Sequence, residues 1–475
     1  MSCDYPYGIQ IKNEQSLAKL YKLLDISSSS INHYRMMDGA NAITIKTPSS
    51  GLCFFQIIVR VGHKHETSKE YEIAHLLEHL NGRFTSSTYP SGSANLALIS
   101  DLGATMNASV DDNLSEYHIA GGSSRYELLW DLIFQSYVDY TPDIDPDTLQ
   151  NERNAVREEL AALKSSPWIN FEESISEALY PNTRLAVTVQ QRLDNLPNIT
   201  NKQLSQFRKE YYTSDRTTFI IAGDISKSSM KTMLTQIKEH CDKSVRNKCK
   251  NLYLTPIKSQ NIITSQKILF SPSRNAGNYR VSIIFKNKVG AFTPRAIELD
   301  ILSDILTGGM AGTLFTELRT KRGIVYGVSS YSYTDAVDPK YSNFAIETHV
   351  SESNVLEAVT AILQILETSK KDILYYRCAL PRTINNIETS LKTSAAQATP
   401  EMYAGQYANE IPWGGCVVMF RERLKRLDNS LHEAKLINAS QDTFQKDCML
   451  IGISGPKDVS EKIMKLIYGD KCPLS

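Results

Sequence analysis

The sequence lacks the features that would place the chain in a membrane or on nucleic acid. Its 475 residues contain no apolar run of bilayer-spanning length. Lys plus Arg and Asp plus Glu each number 52, so the net charge is zero and no basic excess points to nucleic acid or an anionic surface. We therefore expect neither a membrane nor a nucleic-acid partner.

Targeting signals and a disulfide framework are also missing from the sequence. The first residues have no apolar signal core, and Asp4, Glu14 and Asp25, with no arginine before Arg35, argue against a mitochondrial transit peptide. The eight cysteines form no C-x-x-C pair. We expect reduced thiols and a cytoplasmic location.

What is present is a chain too long for one ordinary hydrophobic core. A hydrophobic fraction of 41% and a charged fraction of 22% are typical of a globular protein. A polar stretch without period interrupts the chain near its middle. We divide the chain into a lead-in (residues 1–30), a first domain (31–242), a linker (243–262) and a second domain (263–475).

The most informative stretch is His75-Leu-Leu-Glu78-His79, on a predicted helix with Ile73, Leu76, Leu77 and Leu80 along its opposite side. Thr67 or Ser68 is expected to cap this helix, and Gly82 to close it in a left-handed turn. Two imidazoles one turn apart can bind one zinc ion, and Glu78 can act as general base on water. The alternative is two surface histidines on an amphipathic helix.

A second predicted helix, over 147–163, carries carboxylates that could complete a metal site. Glu152 and Glu159 lie two turns apart and share a face. Such carboxylates are usually only solvated, and Glu158 is a competing third ligand. His63 and His65, in a polar loop before the first helix, are expected to be exposed.

The second half of the chain repeats the pattern of the first. The predicted strand over 279–285 corresponds to that over 53–59, and the helix over 296–306 to the histidine helix. Residues 323–331 correspond to the predicted hairpin around Asp111–Asn113, and residues 373–391 to the Glu152 helix. The second copy has no histidine at the motif, so we expect one metal site per chain.

The ordered motifs resemble the pitrilysin/insulinase family of zinc peptidases, in particular its short, processing-peptidase-like branch. The resemblance rests on His75–His79, on Asn107-Ala108 before Tyr117, and on the helix from Glu152 to Glu159. It implies an α+β fold of two related domains, each with a mixed, mainly antiparallel sheet and helices packed on one face.

The resemblance also implies roles for individual residues. Zinc would be held by His75, His79 and Glu159, with Glu78 as the base and Glu152 close to the ligands. Asn107 and Ala108 would lie on an edge strand that binds substrate as an added strand. Arg319 and Tyr326 would hold the substrate and stabilise the oxyanion, with Arg322 as an alternative cation.

The implied function is a zinc-dependent endopeptidase that cleaves peptides or unfolded, presequence-like segments. Long members of the family enclose substrate with four domains, whereas this sequence provides two. A homodimer, or a heterodimer with a related chain, would supply Arg319 and Tyr326 in trans. The alternative is a non-catalytic scaffold or assembly subunit of the same fold.

Overall fold

Two β-sheets, each accompanied by helices, form the framework of the computed structural model. The structure describes residues 17, 30–47, 50–139, 145–244, 267–273 and 278–468. Most of the predicted lead-in and most of the predicted linker lie outside these residues, so the domain boundaries stay a prediction. Residues 243 and 244 belong to a helix.

The first sheet has six strands in the order β1-β2-β6-β3-β5-β4. Strands β2 and β6 are parallel, and the other neighbours are antiparallel. The strands are β1 (Ile31–Arg35), β2 (Asn41–Lys46), β3 (Leu52–Val59), β4 (Thr105–Val110), β5 (Ser115–Gly122) and β6 (Thr217–Gly223). Strand β4 lies at the edge, and it forms with β5 the predicted hairpin.

Eight α-helices lie among the described residues of the first half of the chain. They are α1 (Ile73–Asn81), α2 (Gly92–Asp101), α3 (Tyr126–Val138), α4 (Pro146–Lys164), α5 (Ile169–Leu179), α6 (Val189–Asn195), α7 (Asn201–Tyr211) and α8 (Lys227–Ser244). The predicted histidine helix corresponds to α1, and the predicted carboxylate helix to α4.

The second sheet has five strands in the order β7-β11-β8-β10-β9, with β7 and β11 parallel. The strands are β7 (Lys267–Pro272), β8 (Tyr279–Lys286), β9 (Val325–Tyr333), β10 (Asn343–Val350) and β11 (Met449–Gly455). The helices are α9 (Pro294–Thr307), α10 (Thr313–Phe315), α11 (Val355–Ser369), α12 (Ile373–Ala396), α13 (Pro400–Ala408), α14 (Phe420–Ser430), α15 (Glu433–Thr443) and α16 (Ser460–Tyr468). A π-helix, Thr316–Lys321, continues α10.

The two sheets have the same topology once β1 is set aside. The order β2-β6-β3-β5-β4 in the first sheet becomes β7-β11-β8-β10-β9 in the second, with the same parallel and antiparallel neighbours. Helix α9 occupies the place of α1 in this order, and α12 that of α4. The predicted α+β fold of two related domains is confirmed.

Both faces of each sheet are buried. In each sheet, one face is covered by helices of its own half of the chain and the other face by a helix of the other half. On β3, Phe55 and Ile57 belong to the core formed with the first half's own helices. Phe54 and Ile58 point to the opposite face, in a core shared with α13 and Ile411. Burial on both faces explains why β3 is a nearly continuous apolar run.

The second sheet receives α5 from the first half in a reciprocal way. Helix α5 lies against β7 and β11, and Ile284 of β8 packs with Leu179 of α5. A Cβ atom at Gly452 of β11 would lie 3.0 Å or less from side-chain atoms of Phe171 and Ile175. The absence of a side chain there lets the helix approach the sheet.

The sequence predicts that the chain has no membrane-spanning helix and that its cysteines are reduced. Among the described residues, no helix is long and apolar enough to cross a membrane. Cys53, Cys241, Cys416 and Cys448 are thiols, but Cys378 is in a disulfide bond, so the expectation of reduced thiols fails at that position. Spacing along the chain does not reveal which distant cysteines the fold brings together.

Replacing Ile411 by alanine should test the packing between the halves. This side chain is fully buried against the first sheet, so its truncation should lower the free energy of unfolding by about 2–5 kcal/mol. The matched control is Ile373→Ala, because Ile373 is 45% exposed and its truncation should cost less than about 0.5 kcal/mol. Equal denaturation midpoints for the two variants would contradict the packing.

Candidate metal centre and active-site cleft

Helix α1 presents two histidines on one side because its other side is buried. Ile73, Leu76, Leu77 and Leu80 are 0–3% exposed in the first core. His75 and His79 lie on the opposite side, with their ring centroids 4.9 Å apart. The predicted amphipathic arrangement is confirmed.

The ends of α1 differ from the expectation. Neither Thr67 nor Ser68 caps the helix, which begins after Glu72, whose φ is +77°. The N–H of Ala74 instead donates to the carboxylate of Glu66 at 3.1 Å. Gly82 has helical angles rather than left-handed ones, and a Cβ atom there would lie 3.4 Å from that of Ala108, so this end of α1 lies against β4.

Helix α4 brings the carboxylate of Glu159 to both imidazoles. Its oxygens lie 3.3 Å from Nε2 of His75 and 3.5 Å from Nε2 of His79. Glu158 is exposed and does not line the cleft next to the histidines. Of the two carboxylates that the sequence left open, Glu159 is therefore the one that lies beside the imidazoles.

Glu152, two turns earlier on α4, contacts the far side of His79. Its Oε2 lies 3.3 Å from Nδ1 of His79, and its Oε1 accepts a hydrogen bond of 2.5 Å from Arg83. These contacts hold the pKa of Glu152 below its ordinary value. The predicted placement of Glu152 beside the ligands agrees with this geometry.

Glu72 is a residue of the site that the sequence did not reveal. Its Oε2 lies 2.9 Å from Nδ1 of His75, and its Oε1 accepts hydrogen bonds from Arg184 at 3.0 Å and Arg192 at 2.5 Å. Burial would raise the pKa of Glu72, but the hydrogen bonds with His75 and Arg192 outweigh it and hold the pKa well below its ordinary value. The only local signal was its spacing of three residues from His75.

Glu78 lies between the histidines in sequence and close to them in space. Its Oε2 is 4.0 Å from Nε2 of His79, and the residue is 9% exposed. Burial raises the pKa of Glu78 above its ordinary value. A carboxylate whose pKa is shifted toward neutrality is suited to proton transfer.

His63 and His65 are not the exposed loop residues that the sequence suggested. They lie in a short 3-10 turn whose backbone N–H groups donate to the hairpin turn at Asp111 and Asp112. The side chain of His63 is 17% exposed and lines the cleft, and Nδ1 of His65 accepts from the N–H of Gly62. Pairing with a distant hairpin leaves His63 and His65 only partly exposed, and local sequence does not predict such pairing.

His75 and His79 line a cleft of about 660 Å³. Edge strand β4 forms one wall of it. The other lining residues come from the helices and loops around the histidines; the full set is His63, His75, Glu78, His79, Gly82, Arg83, Leu96, Met106, Asn107, Ala108, Ser109, Val110, Glu152, Glu159 and Arg192. The predicted substrate residues Asn107 and Ala108 thus lie beside the predicted metal ligands.

Comparison with known proteins places this cleft in a family. The sequence profile of the insulinase family, peptidase family M16, matches residues 41–192, and that of the peptidase M16 inactive domain matches residues 198–373. The chain belongs to the pitrilysin/insulinase family.

The chain is similar to known proteases in sequence and in fold. The uncharacterized zinc protease YmxG of Bacillus subtilis is 23% identical over 419 residues, which are 86% of this chain and 93% of YmxG. A protease from Helicobacter pylori is similar in structure, with a TM-score of 0.73 at 17% identity over 90% of this chain and 99% of that protein. The periplasmic protease PqqL of Escherichia coli has a TM-score of 0.72 at 15% identity, and the matched region is 94% of this chain but 51% of PqqL.

The donor set of the M16 cleft fits a zinc ion. Two imidazoles and one carboxylate are a ligand set that leaves zinc with a net positive charge and a fourth position. The converging Nε2 and carboxylate atoms come from two helices that are held by the same core. A second group, His63 with Glu66 and Glu72, lies close enough to hold a metal, but two arginines already occupy its carboxylates.

The predicted Arg319 and Tyr326 are together, but the structure does not bring them to the histidines. The guanidinium of Arg319 lies 4.4 Å from the ring centroid of Tyr326 and donates to the carbonyl of that residue. Tyr326 is 84% exposed. Arg322, the alternative cation, is instead paired with Glu317 and Glu357.

Replacing Glu159 or its neighbour Glu158 by glutamine should test whether Glu159 is the third zinc ligand. Glu159→Gln removes a charged oxygen that faces both imidazoles, so zinc affinity should fall by more than about 100-fold, measured by competition with a chromophoric chelator. The matched control is Glu158→Gln, which should bind zinc as the unaltered chain does. Equal losses in the two variants would show that Glu159 is not a ligand.

Proposed function

We propose that the chain is a zinc-dependent endopeptidase that cleaves peptides or unfolded, presequence-like segments. The observation that carries this proposal is the convergence of His75, His79 and Glu159 beside the buried carboxylate of Glu78. These groups open into a cleft walled by an edge strand. One zinc ion per chain is expected, because α9 has no histidine in the place that α1 occupies in the first half.

The residues divide the chemistry of hydrolysis among them. When bound, zinc supplies a Lewis acid that makes water a stronger acid and polarises the scissile carbonyl. The carboxylate of Glu78 takes the proton from the attacking water and can return it to the leaving amine. The carboxylates of Glu152 and Glu72 contact Nδ1 of His79 and of His75, and arginines contact the other oxygen of each carboxylate.

The edge strand explains why an unfolded chain is the expected substrate. Along β4, Thr105, Asn107 and Ser109 are exposed, while the residues between them are half-buried against the core. An extended peptide could add to this edge through backbone hydrogen bonds, which give affinity without strict sequence preference. Most of the backbone of a folded domain is already hydrogen-bonded within its own helices and sheets, so an unfolded chain offers more backbone for such pairing.

A dimer would complete the site, because this chain holds Arg319 and Tyr326 away from its own cleft. None of the described residues that line the cleft comes from the second sheet or its helices. The matched region is nearly all of this chain and about half of PqqL. We therefore propose a two-fold homodimer in which Arg319 and Tyr326 of one chain serve the cleft of the other, with a related chain as the alternative partner.

A scaffold role is the competing function, and the match to the inactive-domain profile favours it in the second half. The first half argues for catalysis, because each expected metal ligand and the expected base are present and brought together. A subunit kept only for assembly has no need of that convergence.

Replacing Glu78 by glutamine should separate metal binding from hydrolysis. Because the amide cannot take a proton from water, cleavage of a quenched peptide should fall by about 10²–10⁴-fold, while zinc content stays at one per chain. Glu158→Gln is the control and should cleave normally. A wild-type protein that holds zinc yet cleaves nothing in a broad peptide library would favour the scaffold.

Mixing two inactive variants should test completion in trans. Glu78→Gln and Tyr326→Phe chains each lack one half of a site, but a dimer with one chain of each contains one intact site. After subunit exchange at equal concentrations, about a quarter of the wild-type activity should return. If each chain completes its own site, the mixture stays as inactive as its components.

A further inference from the structure

The backbone at Glu72 is held in a conformation that disfavours its side chain. Its φ of +77° is left-handed, a conformation that disfavours a residue with a Cβ atom and is usually adopted by glycine. The side chain is nevertheless 0% exposed. A buried, charged residue at a position suited to glycine indicates that the carboxylate itself is needed there.

The two oxygens of Glu72 have different partners. Oε2 faces Nδ1 of His75 at 2.9 Å, whereas Oε1 accepts from Arg184 and Arg192. An ionised carboxylate can only accept hydrogen bonds, so the neutral imidazole must carry its proton on Nδ1. The lone pair of Nε2 is thereby directed at the carboxylate of Glu159, 3.3 Å away.

The arrangement around His79 repeats this pattern with other residues. Nδ1 of His79 faces Glu152, and Arg83 contacts the outer oxygen of that carboxylate. In both cases, therefore, a carboxylate oxygen contacts Nδ1 of the imidazole, and an arginine contacts the other oxygen of that carboxylate. The support for His79 comes from α4, and the support for His75 comes from the residue that precedes α1.

We propose that Glu72 is the positioning residue of His75, which fixes the tautomer and the orientation of the ring for metal binding. This inference rests on the proposed function, because it concerns the same metal centre. The competing explanation is structural: Glu72 could serve only to anchor α1 to Arg184 and Arg192.

The variant Glu72→Gln distinguishes these explanations because an amide cannot accept hydrogen bonds both from Nδ1 of His75 and from the two arginines with separate oxygens. If its oxygen faces His75, its NH₂ group points at two guanidinium groups that also donate. If its NH₂ group faces His75, Nδ1 must accept, and the proton moves to Nε2 and blocks the metal. Either arrangement weakens metal binding while the side chain keeps its shape.

The matched control is Glu66→Gln. Glu66 is also buried and contacts the same Arg184 at 2.6 Å, but its other partners are His63 and the N–H of Ala74. It has no hydrogen bond to His75 among the described contacts. A purely structural role predicts that the two glutamine variants behave alike.

The experiment titrates zinc into the metal-free chains in competition with a chromophoric chelator and records the melting temperature of each metal-free chain. Glu72→Gln should lose about 10–100-fold in zinc affinity, whereas Glu66→Gln should stay within about threefold of wild type. A Glu72→Gln affinity equal to wild type, or equal losses in both variants, overturns the proposal.

A second variant covers the case in which Glu72→Gln does not fold. Glu72→Asp keeps the negative charge but shortens the reach of the carboxylate toward Nδ1 of His75. Its zinc affinity should fall by about tenfold, and an unchanged affinity would overturn the proposal. If the wild-type chain itself binds no zinc in this titration, the proposed zinc-dependent function is wrong. The role of Glu72 is contradicted separately, by a variant that binds zinc as tightly as a zinc-binding wild type.

Discussion

The site depends on the burial of one side of α1. Ile73, Leu76 and Leu77 are fully buried, so the helix cannot rotate about its axis without exposing its apolar stripe. That constraint fixes the direction in which His75 and His79 point. Helix α4 packs on the same core through Val156 and Leu160, and Glu159 meets the imidazoles because both helices are held by one set of apolar contacts.

Local patterns therefore predicted the part of the site that lies on helices. The spacing of His75 and His79 against an apolar stripe, and the two-turn spacing of Glu152 and Glu159, are properties of a regular helix. The repeated order of strands and helices was predictable for the same reason, since hydrophobic periodicity identifies elements even where residue identities differ.

What the sequence could not provide is contact between distant segments. Arg184 and Arg192 reach Glu72 across more than a hundred residues, and nothing in their local sequence marks them as partners of a helix start. The same holds for α13 and α5, each of which covers the sheet of the other half. Thr67 and Ser68 satisfy the usual cap preference, but the carboxylate of Glu66 satisfies the N–H of Ala74 instead.

The duplicated fold separates two tasks. The first half carries the side chains that we propose as zinc ligands, while the second keeps the topology and exposes Arg319 and Tyr326. We propose that His75, His79 and Glu159 hold one zinc ion in the first half. Anomalous diffraction from crystals of the zinc-loaded protein, recorded on both sides of the zinc edge, tests it directly. We expect one peak per chain, about 2.0–2.2 Å from both Nε2 atoms and from a Glu159 oxygen. A zinc-loaded crystal with no peak there, or with the peak at other residues, would contradict this zinc site.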